Sequence, residues 1–162
     1  TGCGAIALTL KKLRPNYTIT ATDKDKMTLN IAKKNADILG LNINFVMSDW
    51  FNKIKYQDYD LIISNPPYVS DKSFKCLPAE YQYEPELALK ADDNGLFLVN
   101  KILKQSIDYL KPGGNLIIEV GESKPEFERL YHNLPVIWIE FYSGGEGIFL
   151  VSKEQLLEYF ST

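Results

Sequence analysis

The sequence predicts an α/β fold with a doubly wound, Rossmann-like sheet that is mostly parallel and ends in an antiparallel hairpin. Short apolar or β-branched runs alternate along the chain with segments of helical periodicity. Right-handed crossovers turn such alternation into a parallel sheet with helices on both faces. Near the C-terminus, two strand-like runs flank a glycine-rich turn at residues 143–147, which predicts the hairpin.

The length of the chain predicts one domain. At 162 residues with 45% hydrophobic residues, it can bury a substantial core. It begins, however, on Thr1-Gly2-Cys3-Gly4, a glycine-rich turn of the kind that normally follows a strand and opens a helix. We therefore expect residues 1–162 to be a fragment whose first strand, the centre of the sheet, lies upstream.

The net charge and the cysteine content limit the kinds of binding partner and the cellular compartment that we expect. A net charge of −3 makes direct nucleic-acid binding unfavourable, because phosphate contacts depend on Lys and Arg. A basic protein partner is electrostatically easier. Cys3 and Cys76 make no disulfide framework, and no apolar run is long enough to span a bilayer. We expect a cytoplasmic protein with no membrane association.

The first elements suggest a nucleotide site. Gly2 and Gly4 precede a helix predicted from residue 5, whose N-terminus would face a ligand. The strand predicted over residues 17–23 ends in Asp23, about twenty residues further on, a spacing that places a carboxylate on ribose hydroxyls. Asp23 could instead cap the next helix, although Asp25 could take that role itself.

The next elements continue the alternation. A helix is predicted over residues 27–39, with apolar residues at helical spacing (27, 31, 38 and 32, 36, 39) and Gly40 as its end. A strand over residues 42–47 leads into Asp49 and Trp50. A further strand, residues 59–64, has the continuous apolar character of a buried parallel strand.

A stiff loop follows that strand. Asn65-Pro66-Pro67-Tyr68 contains two prolines that fix their own φ and bias Asn65 away from the helical region. In open α/β sheets, ligands bind outside the carboxyl ends of the strands, where this loop would lie. Taken alone, the two prolines favour a rigid turn without a binding role.

The second half is predicted as a long segment followed by regular elements. Residues 69–95 carry six acids, and an acidic flap of this kind would suit a basic protein substrate, although a solvated surface loop is an alternative. A helix over residues 96–110 is stopped by Lys111-Pro112-Gly113-Gly114. A strand (115–120), a short helix (125–132), the hairpin strands (136–142 and 148–151) and a last helix (153–159) follow. His132, the only histidine, is assigned no chemistry.

Taken together, the glycine turn, the acidic strand end and the Asn-Pro-Pro-Tyr loop resemble the class I amino-methyltransferases that use S-adenosylmethionine. The resemblance implies that the loop holds a planar nitrogen for methylation, with catalytic roles for Asn65, Pro66 and Tyr68. It implies a substrate-binding set of Asn65, Pro66, Pro67 and Tyr68. It also implies a set of cofactor-binding residues and no metal. These cofactor-binding residues are Gly2, Gly4, Asp23, Asp49, Trp50 and Asn65. Core packing is an alternative role for Trp50.

Within this superfamily, the chain is most similar to the protein-(glutamine amide) methyltransferases. Two motifs carry this resemblance: Leu77-Pro78-x-Glu80-Tyr81-x-x-Glu84-Pro85-Glu86-Leu87, and Glu140-Phe141-x-x-Gly144-Gly145-x-Gly147-x-Phe149 with Lys153-Glu154-Gln155-Leu156 at the end. They resemble most the branch that acts on the large-subunit ribosomal protein L3. Such enzymes carry an N-terminal helical domain, which we expect upstream.

Other functions remain open at this point. Peptide chain release factors are an alternative protein substrate. An exocyclic amine of DNA or RNA would use the same tetrapeptide, but it calls for a basic channel. A binding module that holds the cofactor without turnover is the third alternative.

Overall fold

The structure is a computed structural model that describes residues 1–54, 59–67, 96–142 and 144–161. The chain divides into two compact units, here called unit 1 (Thr1–Lys55) and unit 2 (Tyr56–Thr162), which are described separately. That residues 1–162 form one methyltransferase domain therefore stays a prediction. No helix in the described ranges is long and apolar enough to cross a membrane.

Unit 1 contains two helices and a parallel pair of strands. Its elements are α1 (Ala5–Leu13), β1 (Thr20–Asp23), α2 (Lys26–Leu39) and β2 (Asn44–Met47). Thr20 is paired with Asn44 and Asp23 with Met47, so β1 and β2 end at the same edge. Helix α2 is the crossover between them. It begins at the N-cap Asp25 and ends at Gly40, which has a φ of 64°.

The buried face of α2 is narrower than its sequence suggests. Leu29, Ala32 and Ala36 are buried, whereas Met27 and Ile38 are 76% and 81% exposed. Small side chains allow a close approach: a Cβ on Gly4 would lie only 3.2 Å from the Cβ of Ala32. Of the two apolar groups predicted for this helix, the one at 32 and 36 faces the core.

Strand β1 is shorter than predicted. The strand expected over residues 17–23 begins only at Thr20. The carbonyl oxygen of Tyr17 accepts a hydrogen bond of 2.7 Å from Nζ of Lys11. The N–H of Tyr17 donates to the carbonyl oxygen of Arg14 in a turn. Local bonds thus take the backbone groups that a longer strand would use.

Unit 2 is a four-stranded mixed sheet with helices. Its elements are β3 (Tyr59–Ser64), α3 (Phe97–Tyr109), β4 (Leu110–Glu119), a 3₁₀ turn (Gly121–Ser123), α4 (Lys124–Leu130), β5 (Ile137–Ile139), β6 (Ile148–Ser152) and α5 (Lys153–Ser161). The strand order is β3-β4-β6-β5. Strands β3 and β4 are parallel, and β6 is antiparallel to both β4 and β5. The predicted C-terminal hairpin is therefore confirmed, although β5 is shorter than expected.

The Lys-Pro-Gly-Gly stretch lies inside a strand rather than before it. Strand β4 starts at Leu110, and its register with β3 jumps from Tyr59↔Leu110 to Leu61↔Asn115, which is a bulge. Glycine is required at 114, because a Cβ there would lie 2.8 Å from the carbonyl oxygen of Tyr59. The four residues thus bend β4 instead of separating it from α3.

The core of unit 2 lies against β4 and β6. Alternate residues of β4, Leu116 and Ile118, are completely buried, as expected for a strand that packs one face on the core. The ring of Phe127 on α4 lies 4.5 Å from that of Phe149 on β6. This packing fixes α4 over the sheet and leaves the carboxyl ends of β3 and β4 at one edge.

Candidate functional site

In unit 1, the glycine turn lies against the start of α1. Gly2 and Gly4 have φ values of 58° and 89°, in the left-handed region that favours glycine. Gly4 is buried and is the N-cap of α1, so its peptide packs directly on Leu8 and Ala32. A Cβ on Gly2 would meet nothing within 4 Å. The turn therefore has its packed side at Gly4 and its open side at Gly2.

Asp23 joins this turn to the end of β1. The N–H of Gly2 donates a hydrogen bond of 3.1 Å to Oδ2 of Asp23. Oδ1 accepts from the N–H of Asp25 at 2.9 Å. A carboxylate oxygen can accept more than one bond, so Asp23 keeps acceptor capacity for a hydroxyl ligand.

Asp23 is ionised, and it is not the cap of α2. Partial burial raises the pKa of Asp23, whereas the hydrogen bonds from the N–H groups of Asp25 and Gly2 lower it. The cap is Asp25, whose Oδ2 accepts from the N–H of Thr28. The alternative capping role for Asp23 is therefore excluded.

The loop after β2 reaches the same edge of unit 1. The N–H of Ser48 donates to the carbonyl oxygen of Asp23 at 2.9 Å, which ties the ends of β1 and β2 together. Asp49, the next residue, is exposed. Gly2, Asp23 and the loop that carries Asp49 and Trp50 are therefore brought together, as predicted for a shared ligand.

Trp50 is held in an unusual conformation. Its φ of 54° is the only positive value of a non-glycine residue in the described ranges. The buried hydroxyl of Ser48 donates to the carbonyl oxygen of Trp50 at 2.8 Å and accepts from the N–H of Lys53 at 2.9 Å. Phe51, rather than Trp50, is the buried aromatic residue here. The indole stays partly exposed, and its contact with a ligand remains a prediction.

In unit 2, the proline loop leaves the carboxyl end of β3. Ser64 is paired with Ile118 of β4, so Asn65 lies across from the last residue of β4. Asn65 is exposed, Pro66 is buried and Pro67 is half-buried. A buried proline fixes the backbone while the amide beside it stays open to a substrate. Tyr68 and the acidic segment over residues 69–95 lie outside the described residues.

Two positioning features were missed from the sequence. Ser48 directly follows the strand predicted over residues 42–47, and nothing in the sequence there indicates the two hydrogen bonds that shape the Trp50 loop. Gly147 approaches Gly121 so closely that a Cβ on Gly147 would lie 2.6 Å from the carbonyl oxygen of Gly121. The signal for Gly147 was available, because it belongs to the glycine motif of the hairpin.

A cavity in the described part of unit 2 lies away from Asn65. This cavity of about 260 Å³ is lined by residues that include Tyr131, His132 and Trp138. These residues precede or begin β5, which runs in the same direction as β3, so the cavity lies at the edge opposite Asn65. Within the described ranges, no three His, Cys, Asp or Glu residues are grouped so as to hold a metal ion.

The chain is similar to known proteins of the kind that the motifs indicated. Residues 1–79 match the family model "Methyltransferase small domain". The chain is 39% identical, over 98% of its length, to the ribosomal protein uL3 glutamine methyltransferase of Xanthomonas campestris pv. campestris, of which it covers 52%. It is 35% identical, again over 98%, to the protein of the same name from Francisella tularensis, of which it covers 51%. The chain thus spans about half the length of the curated relatives it matches.

A solved structure shows the fold. The chain matches a methyltransferase from Pyrococcus furiosus with a TM-score of 0.65 and 24% identity, over 94% of this chain and 71% of that one. The predicted class I methyltransferase fold is therefore confirmed. The resemblance to glutamine methyltransferases that the motifs indicated is confirmed as well.

Proposed function

We propose that this chain is the catalytic domain of an S-adenosylmethionine-dependent methyltransferase. Its substrate is a glutamine side-chain amide in ribosomal protein uL3, which is the large-subunit protein L3 named above. The observation that carries the proposal is the exposed Asn65 beside the buried Pro66 at the end of β3. It stands in a chain similar over 98% of its length to uL3 glutamine methyltransferases. A cytoplasmic location is part of the proposal.

The residues of unit 1 fit this cofactor. Gly2 leaves open space where the methionine part would approach the backbone. The ionised carboxylate of Asp23 offers acceptors for two ribose hydroxyls, and Asp49 is exposed beside it for an adenine amine. Trp50 would cover the adenine ring from the loop that Ser48 holds. When bound, S-adenosylmethionine supplies an electrophilic methyl group on a positively charged sulfur.

The residues of unit 2 would bind the nucleophile, which is the side-chain amide nitrogen of the substrate glutamine. An amide nitrogen is a poor nucleophile, because its lone pair is delocalised into the carbonyl group. The side-chain oxygen of Asn65 and the carbonyl oxygen of Pro66 would accept the two amide hydrogens, which orients the nitrogen and localises its lone pair. When the methyl group is transferred, its bond to sulfur would break and one of these two hydrogens would leave as a proton. Orientation of this kind can lower a barrier by several kcal/mol, roughly 7–11 in the best cases. Tyr68 would pack on the amide plane.

The proposal is tested by mass spectrometry of uL3. The full-length protein is incubated with uL3 and S-adenosylmethionine labelled in its methyl group, and the peptides are sequenced by fragmentation. One labelled methyl on a glutamine side-chain amide is the expected result. The matched control is the Asn65→Ala variant, which should leave uL3 unlabelled.

Three other outcomes would contradict the assignment of uL3 as the substrate. Label on a release factor and none on uL3 would move the protein to the sister branch. Label on an exocyclic amine of DNA or RNA would mean that the tetrapeptide holds a base. Binding of S-adenosylmethionine with no transfer to any of these substrates would make the protein a binding module.

A further inference from the structure

The hairpin turn between β5 and β6 is not used by the proposed chemistry, yet it lies at the same edge of unit 2 as Asn65. Glu119 at the end of β4 is paired with Ile148 at the start of β6. The next residues continue this contact, because the N–H of Val120 donates a hydrogen bond of 2.7 Å to the carbonyl oxygen of Gly147. The turn is therefore fixed to the end of β4.

The distance from Asn65 to this turn can be estimated from the strand order. Strand β4 lies between β3 and β6, and β5 follows β6. Neighbouring strands lie about 4.8 Å apart, so the turn begins roughly 10–15 Å from the backbone of Asn65. An extended peptide advances roughly 3.3 Å per residue. A polypeptide with its glutamine at Asn65 would thus reach the turn with residues about three to five positions away.

The turn carries large exposed side chains. Tyr142 is fully exposed and Phe141 is 51% exposed. A hydrogen bond from the N–H of Gly144 to the carbonyl oxygen of Phe141 holds the turn. Exposed aromatic side chains on a fixed backbone are typical of protein interfaces, where they supply contact area at a small entropic cost.

The charge of this surface is negative. Glu140 and Glu146 flank the aromatic pair, Glu122 follows the end of β4, and all three are exposed. Residues 119–123 and 140–147 contain no Lys or Arg. The nearest cation along the chain, Lys124, lies over the ring of Trp138 at 4.5 Å from its centre. A partner with positive charge would find complementary potential here.

We propose that Phe141 and Tyr142, with Glu140, Glu146 and Glu122, form a docking surface for a basic, extended segment of the protein substrate three to five residues from the methylated glutamine. This inference rests on the proposed function and adds a specificity surface to it. Phe141 and Tyr142 pack on apolar or aliphatic parts of the segment, and the glutamates pair with its Lys or Arg side chains.

The test uses steady-state kinetics of the full-length protein with uL3. Two variants probe the surface: Phe141→Ala with Tyr142→Ala, and Glu140→Lys with Glu146→Lys. We expect each to raise the KM for uL3 about tenfold. The KM for S-adenosylmethionine and the kcat at saturating uL3 should stay within about twofold of the wild-type values. The reason is that the lost contacts stabilise the bound substrate and the transition state equally.

Matched controls come from the same unit. Leu130→Ala removes an exposed apolar side chain, and Glu128→Lys reverses an exposed charge, both near the end of α4 that leads away from this edge. Both should leave the KM for uL3 unchanged. A circular dichroism spectrum confirms that each variant is folded, which is expected because the substituted side chains are exposed.

Peptide substrates give a second readout. For a glutamine peptide with Lys or Arg four residues away, the surface variants should show a higher KM than the wild type, as they do for uL3. A peptide with only one residue on each side of the glutamine should be methylated equally by all of them. Equal KM values for uL3 in the wild type and both surface variants would overturn the docking surface while leaving the proposed function intact. No transfer to uL3 by the wild type would instead overturn the proposed function.

Discussion

The backbone N–H of Gly2 donates a hydrogen bond of 3.1 Å to Oδ2 of Asp23. One bond thus joins the open part of the glycine turn to the carboxylate at the end of β1, twenty-one residues away. Two features that were separate in the sequence form one site, and the first prediction follows from their contact.

The main effect of replacing Asp23 with Asn should be weaker binding of S-adenosylmethionine. The change removes an ionised acceptor but keeps the side-chain shape. A hydrogen bond to a charged group contributes roughly 1.5–3 kcal/mol, so the dissociation constant should rise about 10- to 100-fold. Isothermal titration calorimetry measures it, with Asp37→Asn on the exposed face of α2 as the control. An unchanged dissociation constant would remove Asp23 from the cofactor site.

Trp50 should report cofactor binding by its fluorescence. The protein has two tryptophans, so Trp138→Phe leaves Trp50 as the only one. Adding S-adenosylmethionine should then change the emission, because the adenine ring would contact the indole. The converse variant, Trp50→Phe, should show no such change. A signal from Trp138 alone would assign Trp50 to a packing role.

Asn65→Ala should separate transfer from cofactor binding. Loss of one preorganised hydrogen-bonding group in an active site lowers kcat by at least about 100-fold. The dissociation constant for S-adenosylmethionine should change by less than about threefold, under 1 kcal/mol. Asn42→Ala, at another exposed asparagine, is the control. An equal loss in cofactor affinity would mean that Asn65 serves mainly the cofactor.

Gly147→Ala should destabilise the protein more than Gly144→Ala. Both glycines have positive φ, of 73° and 90°, so each variant suffers left-handed strain of about 1–2 kcal/mol. Only the Cβ at 147 would overlap backbone atoms, those of Gly121, whereas the position at 144 is open. Overpacking adds roughly 1–3 kcal/mol at 147. Urea unfolding measures both, and equal losses would contradict the close approach.

Tyr131 should make stability fall at high pH. Burial, with a smaller effect of Tyr159, raises the pKa of Tyr131 to about 12. The folded state therefore holds the phenol proton more tightly than the unfolded state, whose pKa is near 10. The resulting stability is fully present below pH 10 and is lost as pH rises toward 12. Tyr131→Phe keeps the ring stacked on Phe127 and should flatten this decline in urea unfolding between pH 9 and 11. A decline as steep as in the wild type would show that the phenol proton of Tyr131 does not contribute.

Much of the fold could be predicted from local patterns. Strand β3 was predicted with its observed bounds, and Gly40 ends α2 as expected, because these features depend on neighbouring residues. The predicted burial of β3 was wrong: Asp60 and Leu61 are exposed, because β3 is an edge strand of the unit 2 sheet. The buried face of α2 could not be predicted, since Met27 and Ala32 both occur at helical spacing. Which group is buried depends on the close approach of Ala32 to Gly4, a contact between residues far apart in the sequence.

The site shows the same division. The positions of Asp23 and of the Asn65 loop at strand ends were predicted from the order of strands and helices, because parallel strands present their carboxyl ends to ligands. Asp49 was selected by the resemblance to the methyltransferases, and the roles of all three residues stay predictions. The hydrogen bonds of Ser48 and the contact of Gly147 with Gly121 were not predicted, because a serine or glycine alone does not indicate its partner.

By itself, the sequence determined the alternation of strands and helices, the chemical groups at the strand ends and the resemblance to glutamine methyltransferases. Only the tertiary structure decided that β6 lies between β4 and β5, and that Gly147 therefore meets the end of β4. The reason is physical: local propensity acts over a few residues. Strand order and close backbone contacts instead depend on how side chains from distant segments fill the core together.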